Sequence, residues 1–302
     1  MLKKACSFFL VLCLLLSGCG SASAENSSTV SSVFSSDSVI PDVEESSIVS
    51  ELDLADFTAP ETGRIEQTVL FENDQVIIRA ESVDTDSEAT YISVTVENLL
   101  DKDLVLSCPD AYINGYLITS SFNAEIPAKE TLLTGVDFSN ALLNACDIDK
   151  IGEIKFSLTG FAYDSGDVLF ETDLMSVTTD LQGTFTQTVD TDGTVLWESN
   201  DVSFILRSHS HDEDFNPVLV MLIVNRSNRA VFADLETSGS SANSFFIDFG
   251  YMLQPQTQTL ALVQGLDDQG NLLESLEDIS YHFMLSDGET WEDIATSEEL
   301  TF

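Results

Sequence analysis

The groups in this chain best suited to chemistry are carboxylates and imidazoles, and they gather in three places. His209 and His211 stand two apart and run into Asp212, Glu213 and Asp214. Imidazole beside carboxylate is a donor set for a divalent metal. Asp84, Asp86 and Glu88 alternate through what reads as the equivalent turn earlier in the chain. Alternating oxygen donors suit Ca²⁺, which takes about six to eight of them. Asp190 and Asp192 form a third pair, but no EF-hand results: Gly193 follows too early, and Thr194 replaces the third acid. The two histidines are strand-spaced at a loop edge, with no third ligand specified. For all three clusters the plain alternative is a solvated acidic turn, so no cofactor is required and Ca²⁺ stays open only as a structural ion. His282, between Tyr281 and Phe283, is expected to face outward from a strand.

Nucleophilic chemistry has less support. The chain has no Gly-x-Ser-x-Gly elbow, no His-Glu-x-x-His and no phosphate-cradling glycine loop with its lysine. Paired carboxylates serve glycosidases, but with 52 acids no pair can be singled out. No catalytic residue is expected.

Cysteine chemistry points elsewhere. Lys3 and Lys4 precede an apolar run from Phe8 to Leu16, followed by small residues. Basic, apolar and small, in that order, is the export-signal pattern. The run is too short to span a hydrocarbon core of roughly 30 Å. Leu16-Ser17-Gly18-Cys19 resembles the lipobox of bacterial lipoproteins, in which the thiol is alkylated with diacylglycerol and becomes the new N-terminus. That resemblance implies a signal peptide over 1–18, lipidation at Cys19, and an extracytoplasmic protein anchored to the cell membrane. The alternative is an ordinary cleaved signal with an incidental cysteine.

Removing such a signal takes two lysines and no acid, so the formal charge moves from −41 to −43. That sign excludes a nucleic-acid partner. It also repels an anionic membrane surface, so attachment falls to the lipid. Cationic ligands are electrostatically favoured, although charge that merely keeps a surface protein soluble explains the composition equally. Cys108 and Cys146 remain after Cys6, Cys13 and Cys19 are spent. Exported proteins permit a disulfide between them, and two buried thiols are the other possibility.

Residues 19–65 lack hydrophobic periodicity and alternate serine pairs with acids. Such a tract cannot offset its ordering entropy and reads as a disordered stalk. As a flexible coil, about 45 residues span roughly 35–40 Å end to end.

Beyond the stalk the chain repeats itself. Val69-Leu70-Phe71-Glu72 recurs as Val195-Leu196-Trp197-Glu198, 126 residues later, and Val96-Glu97-Asn98 as Ile223-Val224-Asn225. Gly115-Tyr116 pairs with Gly250-Tyr251, and Ile154–Ser157 with Ile279–His282. Matches in the same order argue for duplicated units over 66–180 and 194–302, joined by a linker over 181–193. Within each unit the hydrophobic period is two: Ile92, Val94 and Val96 alternate with Tyr91, Ser93, Thr95 and Glu97. Several such runs per unit, broken by turn residues, predict an all-β fold of two antiparallel β-sandwiches. Asn140–Ala145 and Asn271–Leu276 are expected as short helical turns.

A strand ending in Val-x-Asn at Asn98, then Asn114-Gly115-Tyr116, then Ile151-Gly152-Glu153-Ile154 is similar to immunoglobulin-like domains of lipoproteins and other surface proteins of Gram-positive bacteria. The second unit departs from the pattern, with Phe249-Gly250-Tyr251 and Leu276-Glu277-Asp278-Ile279. The resemblance implies fold and location, not a reaction.

One asymmetry stands out between the units. Where the first has Tyr91, Ser93, Thr95 and Glu97, the second has Val218, Val220, Leu222 and Val224, which makes that strand apolar on both faces. Leaving these exposed forgoes roughly 1.5–3 kcal/mol per side chain and invites aggregation. Something must cover them: the chain's own Ser238–Ser244 insertion, the first unit, or an external partner. The functional expectation is a binding or interaction module whose ligand is a protein, peptide or envelope component. The alternatives are a structural accessory protein of an envelope complex, a Ca²⁺-stabilised adhesion module, or an enzyme with a site that no motif marks.

Overall fold

The computed structural model describes residues 58–301, apart from 121, 212–216, 239–244, 248, 268, 270, 274, 277 and 278, and apart from the side chains of 211 and 245–247. The expected signal peptide, Cys19, the stalk up to residue 57, Asp212 and Asp214 lie outside the described residues, as does the Ser238–Ser244 insertion beyond its first residue. No helix among the described residues is long and apolar enough to cross a membrane.

The fold is all-β, built from sandwiches of antiparallel sheets. In the first repeat one sheet runs in the order Thr68–Glu72, Val76–Thr85, Ala89–Asn98, Thr131–Ser139. The facing sheet runs Val168–Glu171, Thr159–Ala162, Leu104–Ser107, Asn123–Ile126. The period of two does what it should: along Ala89–Asn98, every second residue from Thr90 to Asn98 is buried. Ile78, Ile92, Val94 and Phe138 from one sheet meet Leu104, Leu106 and Ile126 from the other in one core.

The second repeat repeats this plan. Thr194–Ser199, Val202–His211, Pro217–Asn225 and Thr257–Leu266 form one layer. Tyr251–Leu253, Val231–Thr237, Ser280–Asp287 and Asp293–Thr296 form the other. Phe204, Met221 and Ile223 pack there against Ala233, Tyr281 and Phe283. The duplication extends to the irregularities of the backbone. The first hairpin slips register between Val69 and Phe71, and its copy between Val195 and Trp197. The next pair slips between Ala80 and Ser82, and its copy between Leu206 and Ser208. Bulges are positional features of a ladder, and two at matched places show that the repeats share their irregularities as well as their strands.

Three details depart from expectation, while Asn140–Ala145 forms the helical turn expected of it. The fold begins before residue 66: Pro60 is buried, Glu61–Thr62 pairs in parallel with Lys150–Ile151, and Ile65 packs on the first core. Two bridges carry no periodic signature, so the sequence pattern did not reveal them. Asn140–Ala145 is the one helix among the described residues. In Asn271–Leu276, by contrast, Leu272 bridges Leu266 and Asn271 is held by the Asp267 carboxylate, and the described residues of this stretch form no helical turn. Finally, Tyr251–Leu253 is the counterpart of Asn123–Ile126, not of Gly115–Ile118: each pairs with the strand that follows the Asn98 or Asn225 turn. Cys108 and Cys146 are free thiols, the first half-buried and the second buried.

Candidate functional site at the seam between the repeats

The structure assigns local duties to the acidic turns. The Asp86 Oδ1 atom accepts the N–H groups of Glu88 and Ala89 at 2.8 and 2.9 Å, which holds this carboxyl below its ordinary 3.8. Asp84 accepts the Ser82 hydroxyl. His209 is exposed, and His282 is half-buried with Nδ1 3.2 Å from the Ser297 carbonyl. Among the described residues no three His, Cys, Asp or Glu side chains converge as a metal site would require.

The feature that joins the two repeats is a hairpin of the first. Ala111–Ile113 and Tyr116–Leu117 are joined by Asn114-Gly115, both with positive φ (49° and 87°). Asn-Gly is the pair that a two-residue hairpin turn of matching twist demands. The Asn114 side chain then fixes the turn: Oδ1 accepts from Gly152 and Glu153, and Nδ2 donates to the Lys150 carbonyl. One edge of the hairpin pairs with Glu153–Phe156. The other pairs in parallel with the second repeat, Tyr116 opposite Gln258 and Leu117 opposite Thr259. One nine-stranded sheet thus runs through both repeats. The Gln258 N–H donates to the Gly115 carbonyl at 3.0 Å, the Thr259 hydroxyl to the Leu117 carbonyl at 3.0 Å, and the Tyr112 hydroxyl to the Met252 carbonyl at 2.8 Å.

Apolar packing follows the same seam. Leu222 and Val224, with Ile205, join the core of the first repeat rather than that of their own. Val218 and Val220, farther along that face, are buried also. Leu260 packs on the first core, whereas its counterpart Leu133 in the first repeat is 65% exposed.

The segment 181–193, expected as a linker, is docked along the seam. Gln187 accepts from Asn114 and donates to the Asp147 carbonyl, and Val189 packs on the first core. The Arg207 guanidinium, from the second repeat, donates to both the carbonyl and the carboxylate of Asp190. The Asp190 carboxyl is held low, first by the Asp192 N–H and then by Arg207. Burial pushes the Tyr116 hydroxyl up, with the charges of Cys146 and Asp147 adding to it and Arg207 opposing. Burial likewise pushes the Cys146 thiol up to about 12.

Beside this ion pair lies an open groove of about 310 Å³. Val189 and Thr191 line it from the docked segment; Val224, Arg226, Gln256 and Gln258 line it from the second repeat. Of these groove residues only Val224 stood out in the sequence, as one of the four apolar positions that something must cover. The other available signal was the Asn114-Gly115 turn, whose role as a bridge needs the partner strand to be known.

The fold and seam define a two-repeat β-sandwich protein whose repeats share a sheet and part of a core. Comparison with protein-family models and with curated proteins finds no match.

Proposed function

We propose that this chain is a lipid-anchored extracytoplasmic binding module, non-catalytic, attached to the membrane through Cys19. Its location rests on Leu16-Ser17-Gly18-Cys19 behind a basic and apolar leader. The immunoglobulin-like, Gram-positive character is proposed on the residue pattern around Asn98 and Asn114. The observation that carries the binding reading is the open groove beside the Arg207–Asp190 pair. It is a cleft between the docked segment 181–193 and the second repeat, next to the strand pairing that joins the repeats, and clefts are where small ligands bind. The duties of the acidic turns in their own backbone favour binding over metal-assisted or carboxylate catalysis as the activity to test.

The test begins with the anchor. Cys19→Ala is expected to move the protein from the membrane fraction to the soluble one and to abolish incorporation of labelled fatty acid. A variant that fractionates and labels as the parent does overturns the anchored reading.

A further inference from the structure

We infer that the seam groove takes a small ligand presenting a carboxylate beside an amide, as the carboxyl end of a short peptide does. This rests on the binding reading above and names the ligand class for that groove. The first observation is Gln258. It is only 5% exposed, lines the groove, and its side-chain amide has no hydrogen-bond partner among the described residues. Its backbone is held on the Gly115 carbonyl, so the side chain is delivered to this place by the strand pairing itself. The amide is not sealed from solvent, so a ligand in the groove takes the place of water on it. A carboxamide, donor and acceptor together, is complementary to a peptide unit.

The second observation is charge. Arg226 lines the groove and forms no ion pair among the described residues; one of its nitrogens donates to the Ser203 hydroxyl at 2.7 Å. The rest of its fork remains for an anion, and guanidinium matches carboxylate geometry in pairs of parallel bonds. No acid lines the groove, although the chain carries 52 of them. The adjacent Asp190 is spent on Arg207. One guanidinium among neutral amides suits a monoanion; a phosphate dianion finds no second cation in the lining.

The third observation is shape and polarity. Val189 and Val224 offer methyl-sized apolar contact, and the exposed Thr191 adds a hydroxyl-bearing residue to the lining. Gln256 spends its amide nitrogen on the Arg226 and Ser227 carbonyls, and Asn225 spends its own on three carbonyls of its turn. The donors left for a ligand are therefore Gln258, Arg226 and Thr191. A short peptide end with small side chains satisfies all three and covers the valines.

The experiment titrates the full chain with N-acetyl-alanyl-alanine, with its C-terminal amide and with acetate, followed by calorimetry. The acid is expected to bind saturably and to weaken as salt rises. The amidated probe and the Arg226→Gln variant should each lose about tenfold or more, as removal of a charge-assisted hydrogen bond does. Gln258→Ala should weaken acid and amide alike. Arg226 is exposed, so circular dichroism of Arg226→Gln should match the parent. Absence of saturable binding overturns the assignment, as does equal affinity for acid and amide, undiminished binding by Arg226→Gln, or acetate binding as tightly as the dipeptide. If these fail while Cys19→Ala still releases the protein, the ligand class is wrong and the anchored location stands. Failure of both removes the whole reading.

Discussion

Asn225 reproduces, bond for bond, the contacts that Asn98 makes 127 residues earlier. The Asn98 Nδ2 atom donates to the carbonyls of Lys102, Ile126 and Pro127, and Oδ1 accepts the Leu100 N–H. The Asn225 Nδ2 atom donates to those of Arg229, Leu253 and Gln254, and Oδ1 accepts the Ser227 N–H. Each side chain is nearly inaccessible to solvent. Each therefore ties the end of one sheet to the two segments that cross over it.

Replacing either asparagine with alanine is expected to cost about 2–4 kcal/mol, because several buried carbonyls lose a donor at once. Aspartate should be worse at neutral pH, since it sets a charge against those carbonyls. Denaturant midpoints of the four single variants check this. Equality of the two alanine variants would support the structural equivalence; a cost below about 0.5 kcal/mol at either site would deny it.

The shared sheet predicts cooperativity. Ile205, Leu222 and Val224 are buried in the first core, so the second repeat alone would expose them. Calorimetry of the full chain is expected to give one transition, and Leu222→Asp to lower it steeply by burying an unpaired charge. Isolated 192–302 should associate or melt well below the parent. Two well-separated transitions in the parent would mean that the repeats unfold independently and that the seam contributes little.

How much of this was legible in the sequence varies with range. The alternation of Ile92, Val94 and Val96 announced a half-buried strand because burial there is decided by immediate neighbours. The two-faced apolarity of Leu222 and Val224 announced that something covers them, but not what. The cover is the core of the first repeat, and the pairing that joins the repeats there, Tyr116–Leu117 with Gln258–Thr259, is too short to leave a period. The Gly-Tyr dipeptide at 115 and 250 suggested an equivalence that the strand pairing rejects, because two residues recur by chance while register does not. The groove joins Val189 to Gln258 across 69 positions, and only the fold brings them together.

Alkaline pH should unfold the protein in a defined window. Burial raises Cys108 to about 11 and Cys146 to about 12 from an ordinary 9.0, and raises Tyr112, Tyr116 and Tyr281 above their ordinary 10.0. These groups are neutral when protonated, so the unfolded chain releases their protons first. Stability is then full below pH 9 and falls as pH rises through 9 to 12. Phenolate absorbance is expected to appear together with loss of the folded circular dichroism signal, and Cys146 to resist alkylation until then. Phenolate signal from all tyrosines near pH 10 in a folded protein would contradict the burial.

The last expectation concerns Trp291, which occupies the place that Gly166 holds in the first repeat. The Gly166 N–H donates to the Ala162 carbonyl and the Trp291 N–H to the Asp287 carbonyl, each at 2.8 Å, and the φ values are 70° and 59°. Glycine adopts that conformation freely, whereas a bulky residue there is strained by roughly 1–2 kcal/mol. Against the strain stands one contact: the Trp291 ring lies 5.3 Å from that of Phe232, worth about 0.5–1.5 kcal/mol. Little burial adds to it, because Trp291 is 59% exposed. The two effects nearly cancel, and the Asp287 carboxylate still holds the turn through the N–H groups of Glu289 and Thr290. Trp291→Gly is therefore expected to leave stability within about 1 kcal/mol of the parent. Gly166→Ala, with nothing within 4 Å of the new methyl, should cost about 1 kcal/mol from backbone strain alone. Denaturant titration of both variants decides it: a loss above about 2 kcal/mol in Trp291→Gly means that ring contact outweighs strain at this turn.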